Sequence, residues 1–383
     1  MELDRKELFG FLHRAGSAVR RTLQQNRRPD GLYHSYNVLE IDRSGQRMKL
    51  ARLSEMLEGQ VAILTSGLLD AGEAATLLEA LPHSRLYSTR HDSYLLYPDR
   101  DLPGFLDFNR VDEGQVFGIA SLSEMLNAKD HRILVSDSAG GFRFHPSLVN
   151  DYELTAVLDR AGVSAKDRDA IQGLYESVFH HRAFTGRSGT MFAYEGLGCI
   201  YWHMVSKLML AAQEFALESD GDLRHRLAVS YYGIQRGLGF RKSPQDYGAF
   251  PAEAYSHSPG YAGAQQPGLT GQVKEGILCR FGELGVSFER GAIRFRPRLL
   301  RAAEFAADQG GDPTLSFTLA GTPVIYRCRE SLNDAALTVR FSDGQQRVFP
   351  GDLLPAEPAA EVIRRTGRIE SIDVELPADW LLH

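Results

Sequence analysis

The sequence predicts a mainly α-helical protein in which paired helices form a ring, followed by a small antiparallel β domain. Three observations support this prediction. Amphipathic helical patterns recur over the first 290 residues, long loops rich in aromatic and polar residues separate them, and apolar and polar residues alternate from Ile293 onwards. Because the composition changes near Gly291, we expect a helical domain over residues 1–290 and a β-sandwich-like cap over residues 291–383.

The composition argues against several classes of protein. With 383 residues, of which 43% are hydrophobic and 24% are charged, the chain can bury a full core. A net charge of −6 argues against a nucleic-acid surface, and no run reaches the ~18 apolar residues of a membrane-spanning helix. The three cysteines fit neither a disulfide framework nor a zinc pattern. The charged first residues do not resemble a signal peptide, so we expect a cytoplasmic protein without a metal, a nucleic-acid partner or a membrane partner.

The first third of the chain contains helical patterns over residues 3–25, 49–69 and 71–81, and a brief strand over residues 38–41. Asp70 and Glu73 have the spacing of a capping box, which predicts that the third helix begins after Asp70.

Two loops in this part of the chain carry candidate binding residues. The first loop holds Tyr33, His34, Tyr36 and Asn37 within five residues. These side chains could line a pocket for a polyol; equally, they could form aromatic cross-strand pairs in a short strand. The second loop, over residues 86–108, is rich in aromatic residues and proline, and Tyr94 is its candidate substrate contact.

A short strand over residues 133–137 ends in Asp137, directly before a turn that contains two glycines. An acid in this position is exposed to ligand, which makes Asp137 a candidate catalytic carboxylate. The alternative is an ordinary turn-forming aspartate. Helices are expected nearby over residues 121–127 and 166–179.

The central helix pattern, which begins at Tyr194, carries the main catalytic candidate. It places Glu195 and Trp202 on one face of a largely apolar helix, with His203 beside them. An apolar surrounding would raise the pKa of Glu195, so this residue is the first candidate for a general acid and Asp137 is the second. For each carboxylate, a structural salt bridge or a helix cap is the alternative.

Two loops beside this helix are rich in hydrogen-bond donors and aromatic rings. The candidate substrate-binding residues in these loops are His181, Arg187, Tyr247, His257, Gln265 and Gln266. Aromatic rings stack on the apolar faces of sugars and amides bond to hydroxyl groups, so this composition suits a sugar site. The alternative is a long surface loop that is held by its own aromatic residues.

Two further helices are expected, over residues 223–236 and from Thr270 to Leu284. Thr270 is a good N-cap and Gly285 ends the second helix. Glu275, near the start of that helix, is expected to stay ionised and to pair with Lys274 or another neighbour. Alternating patterns then predict strands over residues 293–296, 315–319, 324–327, 337–341 and 372–376.

Several motifs carry a family resemblance. The runs LTGQVKEGIL from residue 269, FGELGV from residue 281 and IRFRP from residue 293 are similar to the closing segment of inverting glycoside phosphorylases of the cellobiose phosphorylase type. The match in order extends over about 100 residues. More weakly, GRSG from residue 186, YEG from residue 194 and IYW from residue 200 resemble the glycine-rich loop and the following helix of that family. The whole chain also looks like the carboxyl-terminal part of large bacterial carbohydrate-active proteins.

The resemblance implies an (α/α)6 toroid and places Thr270 and Gly271 at a phosphate site, with His257 and Arg187 as candidates to join them. The free amides of a helix start bind anions without special residues, although ordinary capping explains the same pair. Inorganic phosphate would be a co-substrate, and no other cofactor is implied.

The chain departs from the family in two respects. The Trp-Asn-Asp loop that carries the family's general acid does not occur in this sequence. The chain is also short for a toroid of twelve helices, because about eight helices are expected before the cap and the family's amino-terminal β domain is absent. We therefore expect either an incomplete toroid or closure by a partner, which would be a second copy or a missing amino-terminal region.

Together these features predict a carbohydrate-active enzyme that cleaves or phosphorolyses a glucosidic bond by an inverting mechanism with a general acid. Its substrate would be an oligosaccharide or a glucoside. The alternative is a non-catalytic carbohydrate-binding or assembly subunit that has the same fold and lacks the acid.

Overall fold

The computed structural model describes residues 4–41, 47–53, 55–98, 105–180, 200–238, 270–307 and 313–382. The chain divides into two units. The first unit comprises Met1–Gln60, Pro82–Tyr201 and Lys242–Pro267, and the second comprises Val61–Leu81, Trp202–Arg241 and Gly268–His383. Within the described ranges, no helix combines the length and the apolar character that crossing a membrane requires.

The described parts of the chain contain both helices and strands. The helices are α1 (Arg5–Gln25), α2 (Leu57–Leu64), α3 (Ala71–Ala80), α4 (Phe105–Phe108), α5 (Glu113–Phe117), α6 (Ala120–Asn127), α7 (Asp151–Ala161), α8 (Ala165–Phe179), α9 (Trp202–Glu218), α10 (Gly221–Gly237), α11 (Thr270–Glu283) and α12 (Ala356–Ile363). The strands are β1 (Asn37–Ile41), β2 (Met48–Arg52), β3 (Tyr87–Ser88), β4 (Ser93–Tyr94), β5 (Leu134–Ser136), β6 (Phe142–Phe144), β7 (Val286–Glu289), β8 (Ala292–Phe295), β9 (Ala306–Ala307), β10 (Pro313–Leu319), β11 (Thr322–Arg329), β12 (Ala336–Phe341), β13 (Gln346–Pro350), β14 (Leu353–Leu354) and β15 (Ile369–Pro377).

One part of the first unit, from α5 to α8, has a core of its own. Apolar side chains of these four helices and of the β5–β6 hairpin form a single buried cluster between Val111 and Phe179. The rings of Phe144, Tyr175 and Phe179 form its centre, with centroids 4.7 to 5.9 Å apart. Buried Asn109 fixes the hairpin, because its side chain exchanges two hydrogen bonds of 2.8 Å with the backbone of Phe144. The side-chain amide of Asn109 is therefore hydrogen-bonded although it is buried, as is usual for buried polar groups.

Side-chain caps explain where several helices begin. Asn150 accepts a hydrogen bond from the backbone N–H of Glu153 at 2.9 Å at the start of α7. Ser164 does the same for α8, and Gly162 ends α7 with a left-handed φ of 67°. In the second unit, Asp70 forms the predicted capping box at the start of α3.

The second unit combines three long helices with two sheets. Helix α9 packs against α10 and against α11. The larger sheet has six strands in the order β13-β12-β15-β11-β10-β9, and the smaller sheet has three in the order β14-β8-β7. All neighbours in the larger sheet are antiparallel except β11 and β15, which are parallel. Tyr326 of β11 is fully buried and donates a hydrogen bond of 2.6 Å to the carbonyl of Leu284, which ties the end of α11 to this sheet.

The predicted fold class is wrong: the protein is not a mainly α-helical toroid with a small antiparallel cap. Five sheets occur among the described residues, and the largest of them is mixed rather than antiparallel. Alternation of apolar and polar residues predicts that a strand is half-buried but does not specify its direction. Helix α12 lies in the chain between β14 and β15, which belong to different sheets, and no helix was predicted in this segment.

A second correction concerns residues 49–69, for which a single helix was predicted. Met48–Arg52 is instead a strand that pairs with β1, with Leu39 opposite Leu50, and the helix begins only at Leu57. Leu53, Leu57, Val61 and Leu64 do repeat at helical spacing, but pairing between the two strands decides the structure of the first residues of the segment.

The sharp end of α11 provides a test of the second unit. Gly285 has a φ of 66°, and a Cβ at this position would overlap the backbone of Arg296. We expect Gly285→Ala to lower the free energy of unfolding by about 2–4 kcal/mol, because neither the left-handed backbone nor the neighbouring chain can adapt. Urea unfolding measures the change.

The matched control is Gly233→Ala in α10, since nothing lies within 4 Å of a Cβ built at that position. This helical replacement should stabilise the protein slightly, by up to ~1 kcal/mol. Equal stability of the Gly285→Ala variant and the unaltered protein would show that the close approach between Gly285 and Arg296 is not a constraint.

Candidate functional site

Helix α11 organises the candidate site of the second unit. Its residues Glu275, Cys279 and Glu283 follow one another at four-residue steps, so they share one side of the helix. All three are almost completely buried. The predicted phosphate residues Thr270 and Gly271 are the first two residues of the same helix.

Glu275 is a buried carboxylate with one oxygen in use. Its Oε1 lies 3.4 Å from Nε2 of His203 on α9 and 3.3 Å from Nζ of Lys274. The predicted pairing of Glu275 with Lys274 is therefore present. Glu275 is only 2% exposed, and its Oε2 has no hydrogen-bond partner among the described residues. A buried acceptor without a donor costs about 1–3 kcal/mol, and more when charged, so this oxygen has unused capacity for a ligand hydroxyl group.

Glu283 is the second buried carboxylate of α11, and its oxygens are fully used. Oε1 accepts hydrogen bonds from the hydroxyl of Tyr231 at 2.7 Å and from Nε2 of Gln235 at 2.6 Å, both on α10. Oε2 accepts from Nη1 of Arg280 at 2.6 Å. Burial, followed by the charge of Glu283, raises the pKa of Tyr231 well above its ordinary value, so the phenol remains a donor.

A cleft of about 320 Å³ opens beside this carboxylate. The residues that line it come from α9, α10, α11 and the segment after β8: Met209, Gln235, Gly276, Cys279, Arg280, Glu283, Arg301 and Glu304. Nη1 of Arg280 donates to Glu304 at 2.9 Å as well as to Glu283. The guanidinium group of Arg301 lies 4.2 Å from the ring centroid of Tyr232, and stacking on the ring holds it in place.

The chemistry of this cleft suits a polar ligand of modest size. Its volume lies at the lower end of the range of small-molecule sites. Arg301 is a planar donor and Glu304 is an acceptor, so these two side chains can bond to ligand hydroxyl groups, whereas Glu283 and Arg280 are already bonded to each other. The charges of these four groups cancel, which favours a neutral polyol over a multiply charged anion.

The two predicted residues on α9 have different surroundings. Trp202 is 2% exposed and belongs to the buried side of the helix. His203 is partly exposed and faces Glu275. The structure therefore brings His203 together with α11, whereas a stacking role for Trp202 against a sugar stays a prediction.

The predicted loop of Tyr33, His34, Tyr36 and Asn37 lies in the first unit, against α2. The side chain of buried Gln60 bonds to both backbone groups of Tyr33, at 2.9 and 2.8 Å. Within the part of the chain that the structure describes, three buried side-chain atoms of the next residues have no hydrogen-bond partner: Nδ1 of His34, Oγ of Ser35 and Oδ1 of Asn37. Three such atoms in four residues are unusual.

The aromatic rings of this region differ in their exposure. Tyr33 and Tyr94 are buried, and Tyr94 contacts the edge of Tyr87 with centroids 5.4 Å apart. Tyr36 is partly exposed. Burial, together with the charges of Arg28 and Arg52, lowers the pKa of His34, so this imidazole is neutral at physiological pH and can both donate and accept.

Asp137 stabilises the turn of the β5–β6 hairpin. Its Oδ1 accepts from the backbone N–H groups of Gly141 at 2.8 Å and Ala139 at 2.9 Å, and its Oδ2 accepts from Nε of Arg143 at 2.9 Å. These bonds, with that from Gly141 first, lower the pKa of Asp137. An ionised carboxylate suits a turn, whereas a general acid must carry a proton. A catalytic role for Asp137 stays a prediction, without support from this geometry.

Seven of the predicted residues lie outside the described ranges: Glu195, His181, Arg187, Tyr247, His257, Gln265 and Gln266. Thr270 and Gly271 are described as parts of α11, and their side chains are not.

The cleft beside Glu283 was not predicted from the sequence. The pairs Arg280–Glu283 and Arg301–Glu304 both have the three-residue spacing of helical ion pairs, and this signal was available. By contrast, His203 and Glu275 are 72 residues apart, and no local pattern connects them.

The thiol of Cys279 provides a test of how tightly this region is packed. Burial, which is the largest cause, and the charge of Glu283 raise its pKa to about 12. Because the thiolate is the reactive form, we expect Cys279 to resist iodoacetamide at about pH 8 in the folded protein and to react after unfolding in urea. Peptide mapping by mass spectrometry measures the labelling.

Cys328 of β11 serves as the comparison within the same molecule, since its side chain is only partly buried. We expect it to be labelled faster than Cys279 in the folded protein. Equal rates for the two thiols would mean that solvent reaches the buried side of α11.

One segment of the first unit is similar to a known protein family. Residues 102–182 match a family model described as GH149 phosphorylase insertion domain 2. The match covers roughly a fifth of the chain and coincides with the part of the first unit that has its own core. No match was found among curated proteins. The family match supports a glycoside phosphorylase-like protein.

Proposed function

We propose that this protein is an enzyme that breaks a glucosidic bond with inversion, and that inorganic phosphate is the attacking group. The observation that carries the proposal is the match of residues 102–182 to an insertion domain of a GH149 phosphorylase. The motifs around α11, which resemble inverting phosphorylases of the cellobiose phosphorylase type, support it independently.

In this proposal the start of α11 binds phosphate. The first backbone N–H groups of a helix have no partner within the helix and lie at the positive end of its dipole, so they attract anions. Thr270 and Gly271 occupy these positions. Glu275 follows Thr270 by five residues, which places the His203–Glu275 pair about 7–8 Å further along the axis, within reach of a sugar that is bound beside the phosphate.

Glu195 is the proposed general acid. It would transfer its proton to the leaving glycosidic oxygen while a phosphate oxygen attacks the anomeric carbon from the opposite face. The bond between the anomeric carbon and the leaving oxygen breaks, and the products are a sugar 1-phosphate of inverted configuration and a shortened sugar. With water as the attacking group, a second carboxylate would have to act as the base.

The cleft beside Glu283 is the proposed place for sugar hydroxyl groups in the second unit. Arg301 and Glu304 offer donors and acceptors at its mouth, and the ring of Tyr232 holds Arg301 in place. A neutral polyol loses little solvation on entering such a cleft compared with a charged ligand, because each hydroxyl group can exchange water for a paired side chain.

A non-catalytic carbohydrate-binding subunit is the second candidate. The absence of a Trp-Asn-Asp loop from the sequence favours it, because that loop supplies the general acid in the family that the motifs resemble. Both candidate functions use the same sugar site, but only the enzyme would convert the bound sugar into products.

The test is incubation of the protein with a panel of β-linked gluco-oligosaccharides, with and without inorganic phosphate. We expect sugar 1-phosphate to form only with phosphate. Replacement of Glu195 by Gln should lower the rate by at least ~100-fold, because loss of a general acid typically costs this much.

The matched control is Glu218→Gln at the exposed end of α9, which should leave the rate unchanged. Release of a free sugar without phosphate would identify a hydrolase. Binding of an oligosaccharide in calorimetry, with no product from any member of the panel, would favour the non-catalytic subunit and contradict the enzymatic proposal.

A further inference from the structure

Helix α1 is amphipathic, yet the described part of the chain does not bury it. It extends over 21 residues, and none of them is buried. Leu8, Phe9, Phe11, Leu12 and Val19 are between 40% and 64% exposed. Most helices in proteins owe their stability to the packing of an apolar face rather than to intrinsic helix propensity. An exposed apolar surface of this kind indicates a binding partner.

The β1–β2 hairpin carries a second group of exposed apolar side chains. Leu39 pairs directly with Leu50, and Met48 lies on the same face because its partner Ile41 follows Leu39 by two residues. These three described side chains are between 57% and 71% exposed. The hairpin adjoins the end of α1, since Nη2 of Arg52 donates to the carbonyl of Gln25 at 2.9 Å.

The apolar residues of α1 are arranged so that the helix can pair with itself. Leu8, Leu12, Ala15 and Val19 are spaced by four, three and four residues, which is the spacing of a coiled-coil seam. In an antiparallel pair with two-fold symmetry, Leu12 lies level with Ala15 of the second copy, and Leu8 lies level with Val19. Each large side chain then meets a smaller one, as close packing requires.

The charges of α1 are compatible with this pairing. Because each residue turns the helix by about 100°, Lys6, Arg14 and Arg21 lie opposite the seam and Arg20 lies at the flank. In a pair of helices these groups point outwards and are separated by roughly 20 Å, which is more than the Debye length of about 8 Å at physiological salt. Arg5 lies close to the seam, but the Arg5 residues of the two copies are at opposite ends of an antiparallel pair. The basic side chains of the two copies therefore do not oppose association.

The area of the exposed apolar surface also suits an interface between two copies of the chain. The eight exposed apolar side chains of α1 and the hairpin offer on the order of 100 Å² each, or about 800 Å² in total. Each partner in an interface of standard size buries about this area. Self-complementary surfaces of this kind form the isologous interfaces of symmetric dimers.

We propose that α1 and the β1–β2 hairpin form the interface between two copies of this chain, with the two α1 helices packed antiparallel along the seam of Leu8, Leu12, Ala15 and Val19. This interface is independent of the proposed catalytic activity.

The first experiment measures the mass of the full chain by analytical ultracentrifugation over a range of micromolar concentrations. We expect a dimer. Leu12→Glu, which places a carboxylate in the seam, should weaken the dimer on the order of 100-fold. Ser17→Glu adds the same charge on the polar side of α1 and should leave the dimer intact.

The second experiment traps the predicted register. In the double variant Leu12→Cys and Ala15→Cys, the two introduced thiols of different copies lie at the same level of the seam. Oxidation should give a covalent dimer that dithiothreitol reverses. The unaltered protein, which retains its three native cysteines, controls for other cross-links.

Three results would overturn the proposal. These are a monomer at every concentration, an equal loss of the dimer in Leu12→Glu and Ser17→Glu, or a monomer that binds anionic lipid vesicles through the same apolar face. The last result would identify a membrane surface as the partner.

Discussion

Burial of charged groups along α11 is the constraint on which the second unit depends. Two carboxylates, Glu275 and Glu283, lie on the buried side of one helix, and each needs donors from neighbouring elements. Glu283 obtains them from α10 and from Arg280, and Arg280 in turn binds Glu304 in the segment after β8. This network fixes the positions of α10, α11 and that segment together. Removal of one partner would leave a buried charge uncompensated, which typically costs about 3–5 kcal/mol.

Much of the secondary structure was predictable because its signals are local. The capping box at Asp70, the helix over residues 223–236 and the end of α11 at Gly285 were all predicted from a few neighbouring residues. The architecture was not predictable in this way. The parallel pairing of β11 with β15 depends on contacts between residues almost fifty positions apart, and a pattern of alternating residues is the same for either direction.

In the candidate site, too, local contacts were predictable from the sequence and long-range contacts were not. Glu275 was correctly expected to pair with Lys274, because the two residues are adjacent. The contact of Glu275 with His203 and the network around Glu283 arise only from the packing of α9, α10 and α11. Asp137 is a case in which one local pattern allowed two interpretations. An aspartate before glycines was read as a catalytic candidate and as a turn former, and its bonds to Ala139, Gly141 and Arg143 account for it as a turn former.

The groups that this chain leaves uncompensated are informative about what it binds. A globular protein is stable by only about 5–15 kcal/mol, so each buried polar atom without a partner is a substantial loss. Glu283 has every oxygen satisfied, and therefore its role is accounted for by the structure. In the described ranges, Glu275 has one buried oxygen without a donor, and the segment from His34 to Asn37 has three buried polar atoms without a partner. An oligosaccharide, which presents hydroxyl groups that can both donate and accept, has the chemistry to satisfy such atoms. Helix α1 differs from these sites because it exposes leucine and phenylalanine side chains. Apolar surface of this kind is covered favourably by an apolar partner rather than by a sugar.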